Sequence, residues 1–216
     1  MKCVLAKRFA RANLRGHAET PVTRRNKGHP RCDRCSMRKD VCLCALIPRI
    51  VTRTRLTLIM HRFEARKPTN SGRLAVDCLV NSEIRLRGNE GEPIEPFEWN
   101  ESVQPLLLFP AQDAIPLTQF AHCPKPVSLV VPDGTWRQAF KARTRVPGLM
   151  NIPCVTLPPG LPTRYRLRTQ PNDQSLGTME AIARALGILE GPHVQDELER
   201  VFMAMVERTL WLRGKV

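Results

Sequence analysis

Aromatic side chains supply only 5% of the 216 residues, and tyrosine occurs once, at Tyr165. That scarcity argues against a surface made of long rows of stacking rings. No run of roughly 18 apolar residues occurs. The first thirty residues also lack the continuous apolar stretch of a secretory signal. The expectation is therefore a protein that neither crosses nor enters a membrane and works in the cytosol. Internal repeats and low-complexity tracts are missing too, so solenoids and collagen-like architectures drop out. Acids are absent from residues 137 to 168.

Apolar residues make up 42% and charged residues 25%, which fits a soluble globular chain of one main domain plus a small appendage. The formal net charge is +14, and it comes in blocks: +10 over residues 1–49, +5 over 50–87, −6 over 88–136, +7 over 137–168 and −2 to the end. A polyanion lying against the three positive blocks would release counterions at each phosphate contact. RNA, DNA and an acidic membrane all fit that footprint, and a merely basic surface is the plain alternative. Residues 1–28 hold eight Lys and Arg against one acid, Glu19. They read as a basic arm with sparse apolar positions, although a mitochondrial transit peptide has a similar composition.

Four of the eight cysteines crowd into C-x2-C-x6-C-x-C at Cys32, Cys35, Cys42 and Cys44. Thiolates at this spacing can reach one tetrahedral ion, and four protein ligands leave no open position for a substrate. Residues 29–49 therefore read as a zinc knuckle that serves as a structural staple, with an iron–sulfur cluster as the alternative and disulfides disfavoured in a reducing compartment. The knuckle would hold Arg31, Arg34, Arg38 and Lys39 on a rigid frame.

From residue 50 short apolar runs alternate with helical periodicity, the pattern of an α/β domain with a largely parallel sheet over 50–216. Strands are expected at Arg55–His61, Gln104–Phe109, Val127–Val131 and Cys154–Leu157, the last three closed by Pro110, Pro132 and Pro158. Helices are expected at Ser71–Val80, with Leu74, Leu79 and Val80 turned inward, and at Thr135–Arg143, Thr178–Leu186 and Val194–Leu212. In such sheets chemistry gathers beyond the carboxyl ends of the strands. Three polar clusters fall there: His61–Ala75, the turn Pro132–Trp136, and the long loop from Pro158 to Ala181.

The set N-S-G-R-L-A (Asn70–Ala75), D-G-T-W (Asp133–Trp136), Tyr165-Arg166-Leu167-Arg168 and T-M-E-A (Thr178–Ala181), behind the four-cysteine knuckle, resembles the DTW-domain tRNA-uridine aminocarboxypropyltransferases over about residues 30–190. The resemblance implies a SPOUT-like α/β fold with a knotted C-terminal region. It also implies binding of S-adenosylmethionine and transfer of its 3-amino-3-carboxypropyl group to N3 of a tRNA uridine in the variable loop, with methylthioadenosine released. Cofactor contacts would come from Pro132, Thr135, Trp136, Leu157, Leu167, Arg168 and Thr178. Two positions depart from the family pattern: Ser71 replaces a threonine and keeps its hydroxyl, whereas Gly177 replaces a serine and does not. No obligate protein partner is implied.

Asp133 is the expected catalytic residue. A carboxylate there can take the proton from uridine N3 or hold the cofactor's α-amino group, and a lone Asp-Gly would otherwise read as a turn. The indole of Trp136 can favour a sulfonium or simply fill the core. Arg164, Arg166 and Arg168 alternate, so in extended chain they share a face that can follow phosphates or grip a carboxylate. Asn70 and Arg73 are expected to orient the RNA, against the plainer readings of a helix cap and a surface arginine, with Arg38 and Lys39 adding contacts from the knuckle. Glu180 reads only as an acid favoured by a helix N-terminus, and His61 as a strand-end histidine. A SPOUT-type RNA methyltransferase and a non-catalytic zinc RNA-binding protein remain the alternatives.

Overall fold

β-branched and leucine-rich runs bounded by turn residues form strands because they suit a pleated surface buried on both sides. In a computed structural model, which describes residues 29–88, 91, 93–167 and 175–215, these runs become β1 (Arg55–His61), β3 (Gln104–Leu108), β5 (Val127–Asp133) and β6 (Cys154–Thr156), joined by β2 (Ser82–Arg87) and β4 (Ile115–Pro116). The six strands make one sheet in the order β2-β1-β5-β3-β6-β4, and every pairing is parallel. Helices α1 (Arg62–Ala65), α2 (Ser71–Cys78), α3 (Trp136–Arg145), α4 (Thr178–Leu189) and α5 (Pro192–Leu212) connect and cover them. None of the described helices is long and apolar enough to cross a membrane.

The period-two alternation of the strands divides the core in two. Leu56, Leu58, Met60, Leu129 and Val131 face α2, α4 and α5. Ile59, Val130 and Leu107 face α3 through Ala139 and Ala142. Leu198, Val201, Phe202, Met205 and Leu210 of α5 are buried, as their helical spacing requires. Met37, Leu43 and Ile47 from the cysteine-bearing segment join the larger core, and Arg31–Val216 forms one compact unit. The basic arm of residues 1–28 lies outside the described residues.

β2 and β4 are not among the strands expected from the sequence, and two further differences concern the ends of α2 and β5. Val80 is exposed, because α2 already ends at Cys78 and the chain turns toward β2. β5 also runs through Pro132 to Asp133, with Pro132 opposite Ile59 of β1. β3 pairs with β5 only as far as Val130, so the missing N–H of Pro132 costs no rung on that side. The consequence matters for the site: Asp133 stands at the end of a strand rather than in a free turn.

Candidate active site

β1 and β5 are neighbours, but the chain leaves β1 through α2 toward β2 on one side and leaves β5 through α3 toward β6 on the other. That reversal opens a crevice beyond their carboxyl ends, where open parallel sheets bind ligands. A cleft of about 500 Å³ lies there, lined by the ends of β3, β5 and β6 and by the starts of α2, α3 and α4. Its size is that of a small-molecule site.

Asp133 is the charged centre of this cleft, only 6% exposed. Asn70 donates from Nδ2 to Asp133 Oδ2 at 2.6 Å, and Thr178 donates from Oγ1 to Asp133 Oδ1 at 2.6 Å. The carboxylate is therefore gripped on both oxygens, by the N-cap residue of α2 and the first residue of α4. Asn70 also caps α2, its Oδ1 accepting from Arg73 N at 2.8 Å, so one side chain starts the helix and fixes the acid. Gly72 lets α2 come this close. A Cβ added at Gly72 would stand 3.0 Å from Leu58, 3.2 Å from Thr178 and 3.3 Å from Asp133, tight on all three sides.

Thr135 opens α3 with a reciprocal cap: Gln138 N donates to Thr135 Oγ1 at 3.3 Å and Thr135 N donates to Gln138 Oε1 at 2.7 Å. Trp136 follows at the cleft wall and is 53% exposed, which removes core packing as its role. At α4 the N-cap is Gly177, without a side chain to close the first turn. Only the return half of a cap exists there, Gly177 N donating to Glu180 Oε2 at 2.9 Å.

Glu180 is the residue the sequence reading undervalued. It is 4% exposed, and besides Gly177 N it accepts from Thr163 Oγ1 at 2.5 Å and from Arg164 N at 2.7 Å. It thereby ties the arginine-bearing loop to the helix that carries Thr178. Tyr165 adds a second tie, donating from its hydroxyl to Thr69 O at 3.0 Å while its ring lies 5.4 Å from that of Phe202. A helix-opening acid three residues after a cap position is the signal that could have pointed to Glu180.

Of the residues expected at the cofactor, Pro132, Thr135, Trp136, Leu157 and Thr178 line the cleft, together with Asp133 and Asn70. Leu167 is buried in the core and its carbonyl accepts from Arg213, while Arg168 lies outside the described residues. Arg164 and Arg166 are exposed and Tyr165 and Leu167 buried, so the alternation places both arginines outward. Arg73 instead turns to the protein: its guanidinium donates to Ser36 Oγ at 2.8 Å and to Ala65 O. Arg38 pairs with Asp40, and Lys39 is exposed. His61 is held below its ordinary pKa by burial and by the cations Arg87 and Arg62, and its Nδ1 accepts from Phe63 N.

The four knuckle sulfurs lie within 4.8 Å of one another. Cys32 and Cys44 are 3.4 Å apart and Cys35 and Cys42 are 3.6 Å apart. A tetrahedral ion with bonds of about 2.3 Å sets its sulfurs about 3.8 Å apart, so the cluster has the dimensions of a single-ion site. The backbone amides of Cys35 and Arg34 pull the Cys32 thiol down to about 6, while burial and the neighbouring thiols push Cys44 up. Arg73 and Arg208 moor this segment: Arg208 donates to the carbonyls of Val41 and Cys42, and Arg73 reaches Ser36.

The DTW domain model matches residues 29–210, the knuckle and the whole cleft together. The chain belongs to the DTW domain family. It is 29% identical over 197 residues to tRNA-uridine aminocarboxypropyltransferase 2 of Drosophila melanogaster, covering 87% of this chain and 76% of the relative. It is 30% identical over 189 residues to tRNA-uridine aminocarboxypropyltransferase 2 of Macaca fascicularis, covering 83% and 63%. It is 25% identical over 224 residues to tRNA-uridine aminocarboxypropyltransferase A of Arabidopsis thaliana, covering 85% and 81%. The chain thus spans just under two thirds of the macaque relative's length. Within the DTW domain of this chain, Asp133, Thr135 and Trp136 supply a fixed carboxylate, a helix cap and an exposed indole within one short turn at the cleft.

Proposed function

We propose that this protein is a tRNA-uridine aminocarboxypropyltransferase that moves the 3-amino-3-carboxypropyl group of S-adenosylmethionine to N3 of a tRNA uridine, in the variable loop, and releases methylthioadenosine. The observation that carries the reading is the braced, buried Asp133 where three helix N-termini meet in a cleft of small-molecule size, within a DTW domain. The cofactor supplies an electrophilic carbon activated by its sulfonium.

The residues fit such a ligand. Helix N-termini at Asn70, Thr135 and Gly177 present a positive field suited to a carboxylate. Asp133 offers the matching negative charge for an ammonium or for the proton leaving N3. The face of Trp136 favours a cation, and Leu108, Val131, Val155 and Leu157 add apolar wall. Exposed Arg164 and Arg166 stand ready for phosphates. The reading includes a SPOUT-like fold with a knotted C-terminal region, supported by the all-parallel sheet and by Pro158–Leu161 and Ser175–Thr178, the two ends of one connection, both lining the cleft. It also includes a cytoplasmic setting, where tRNA and reduced cysteines meet.

The deciding experiment incubates unmodified tRNA with S-adenosylmethionine and analyses nucleosides and small products by mass spectrometry. Aminocarboxypropyl-uridine and methylthioadenosine are expected. A methylated nucleoside with S-adenosylhomocysteine, or no consumption of the cofactor, overturns the reading.

Zinc is the ion we assign to the knuckle, because four sulfurs within 4.8 Å of one another, two pairs of them at 3.4 and 3.6 Å, are close enough together for one ion to bind all four, whereas a multi-iron cluster would hold its cysteines farther apart. Purified protein should carry about one zinc per chain, since such sites bind metal as part of folding. Iron in elemental analysis, or a folded and active sample without metal, contradicts the assignment.

Affinity for tRNA should fall steeply with salt, because neutralised phosphates release counterions. Removing residues 1–28, with eight cations against one acid, should weaken binding and flatten that dependence. An unchanged affinity and slope in the truncated chain would show that the arm touches no RNA.

A further inference from the structure

α3 starts at the cleft with Trp136, and Phe140 stands four residues on, a rise of about 6 Å along the same helix face. Both rings are half exposed, 53% and 54%, in a chain with few aromatics to place anywhere. Each rests on the same buried ring, Phe109, with centroids 6.3 and 6.5 Å away. The pair is thus propped in position, and a partner that covers it has little side-chain freedom to remove.

Beside this row of rings runs a row of cations. Arg137 and Lys141 follow the two aromatics by one residue each, and α3 has four basic residues and no acid. Arg143 is taken by Asp113 at 2.5 Å. At the nearby ends of β1 and β2 stand His61, Arg62 and Arg87, with Arg87 donating to Gln138 O at 2.9 Å. Burial, then Arg87 and Arg62, hold His61 low against the opposite pull of Glu64, and Lys141 adds a weaker push in the same direction as the arginines. Burial and then Arg145 do the same to Arg87. Cations crowd here enough to oppose one another's charge, and an anion relieves that repulsion.

We propose that α3 is a nucleotide track at the mouth of the cleft: unstacked bases next to the target uridine sit on Phe140 and Trp136 while their phosphates follow Arg137 and Lys141. The identity of the strand as tRNA rests on the proposed function. Aromatic faces for bases beside a basic path for the backbone are the means by which single-stranded segments are held without reading their sequence. An acidic peptide would use the cations but leave the two propped rings without a purpose. Phe140 is not among the residues lining the cofactor cleft, whereas Trp136 is, so Phe140 separates strand binding from cofactor binding.

The test compares full-length wild type with Phe140→Ala, Phe140→Trp and the double variant Arg137→Ala/Lys141→Ala. Equilibrium binding of unmodified tRNA is measured across salt concentrations, and S-adenosylmethionine affinity by calorimetry. Phe140→Ala should weaken tRNA binding about 5- to 150-fold, the loss of one stacked base, with Phe140→Trp restoring it and cofactor affinity unchanged. The double variant should lower the slope of log affinity against log salt by about 1.4, two single-strand phosphate contacts. A tRNA affinity within twofold of wild type in Phe140→Ala, an unchanged slope in the double variant, or an equal loss of cofactor affinity overturns the track. Because Phe140 is exposed, Phe140→Ala should melt with wild type, and the salt slope of the double variant retains the test if it does not. Binding requires no turnover, so wild type that binds tRNA through Phe140 yet forms no methylthioadenosine defeats the proposed function and leaves the track standing. Wild type that binds no tRNA defeats both.

Discussion

Asp133→Asn is expected to fold, to bind tRNA as wild type does, and to form aminocarboxypropyl-uridine about 10²- to 10⁴-fold more slowly, the usual loss for a catalytic proton acceptor. The substitution is unusually clean at this position. Asn70 Nδ2 donates to one carboxylate oxygen and Thr178 Oγ1 to the other. An asparagine can keep both bonds, its carbonyl accepting from Asn70 and its amide donating to the Thr178 hydroxyl, which serves equally as acceptor. Shape and bracing survive while charge and basicity go. Cofactor affinity in the same variant then separates the two roles: weakened binding marks an anchor for the α-ammonium, and unchanged binding marks the proton acceptor. A variant turning over at close to the wild-type rate would make Asp133 a structural residue.

Much of this architecture was legible because its signals are local. β1 is an uninterrupted run buried along most of its length, and α5 repeats apolar positions at helical spacing, so both emerged with nearly their observed limits. β2 did not, because Ser82–Arg87 mixes Ile84 and Leu86 with Glu83, Arg85 and Arg87 on an edge strand that is only partly buried. Its period-two alternation was present but outweighed by charge. β4 is two residues long and forms only beside β6. In the site, Asp133 and Trp136 could be singled out because D-G-T-W joins a strand to a helix. The bond from Asn70 to Asp133 spans 63 residues, and only the sheet's topology creates it. Arg73 carried the same ambiguity as any arginine in a basic block. Its engagement with Ser36 and Ala65 depends on where the knuckle docks, which no local pattern encodes.

Glu180→Ala should be the most destabilising single change around the cleft. The carboxylate accepts from Gly177 N, Arg164 N and Thr163 Oγ1, and alanine leaves all three donors without it. A buried donor stripped of its acceptor costs about 1–3 kcal/mol. Gly177 N is buried, whereas the Thr163 and Arg164 bonds are only partly buried, so water replaces some of the loss there. A total of about 2–4 kcal/mol follows, which in a domain of this size lowers the melting temperature by roughly 5–15 °C. Function should fall further than stability alone explains. Glu180 joins the Arg164 loop to the first turn of α4, and that turn delivers the Thr178 hydroxyl to Asp133. Freed from this tie, both the arginine-bearing loop and the carboxylate lose their fixed positions, and transfer should be slow even well below the melting transition. Glu180→Gln keeps one acceptor oxygen and should fall between wild type and alanine in both melting temperature and rate. Melting of the alanine variant within about 1 °C of wild type, with full transfer activity, would show that the loop and α4 hold their places without this carboxylate.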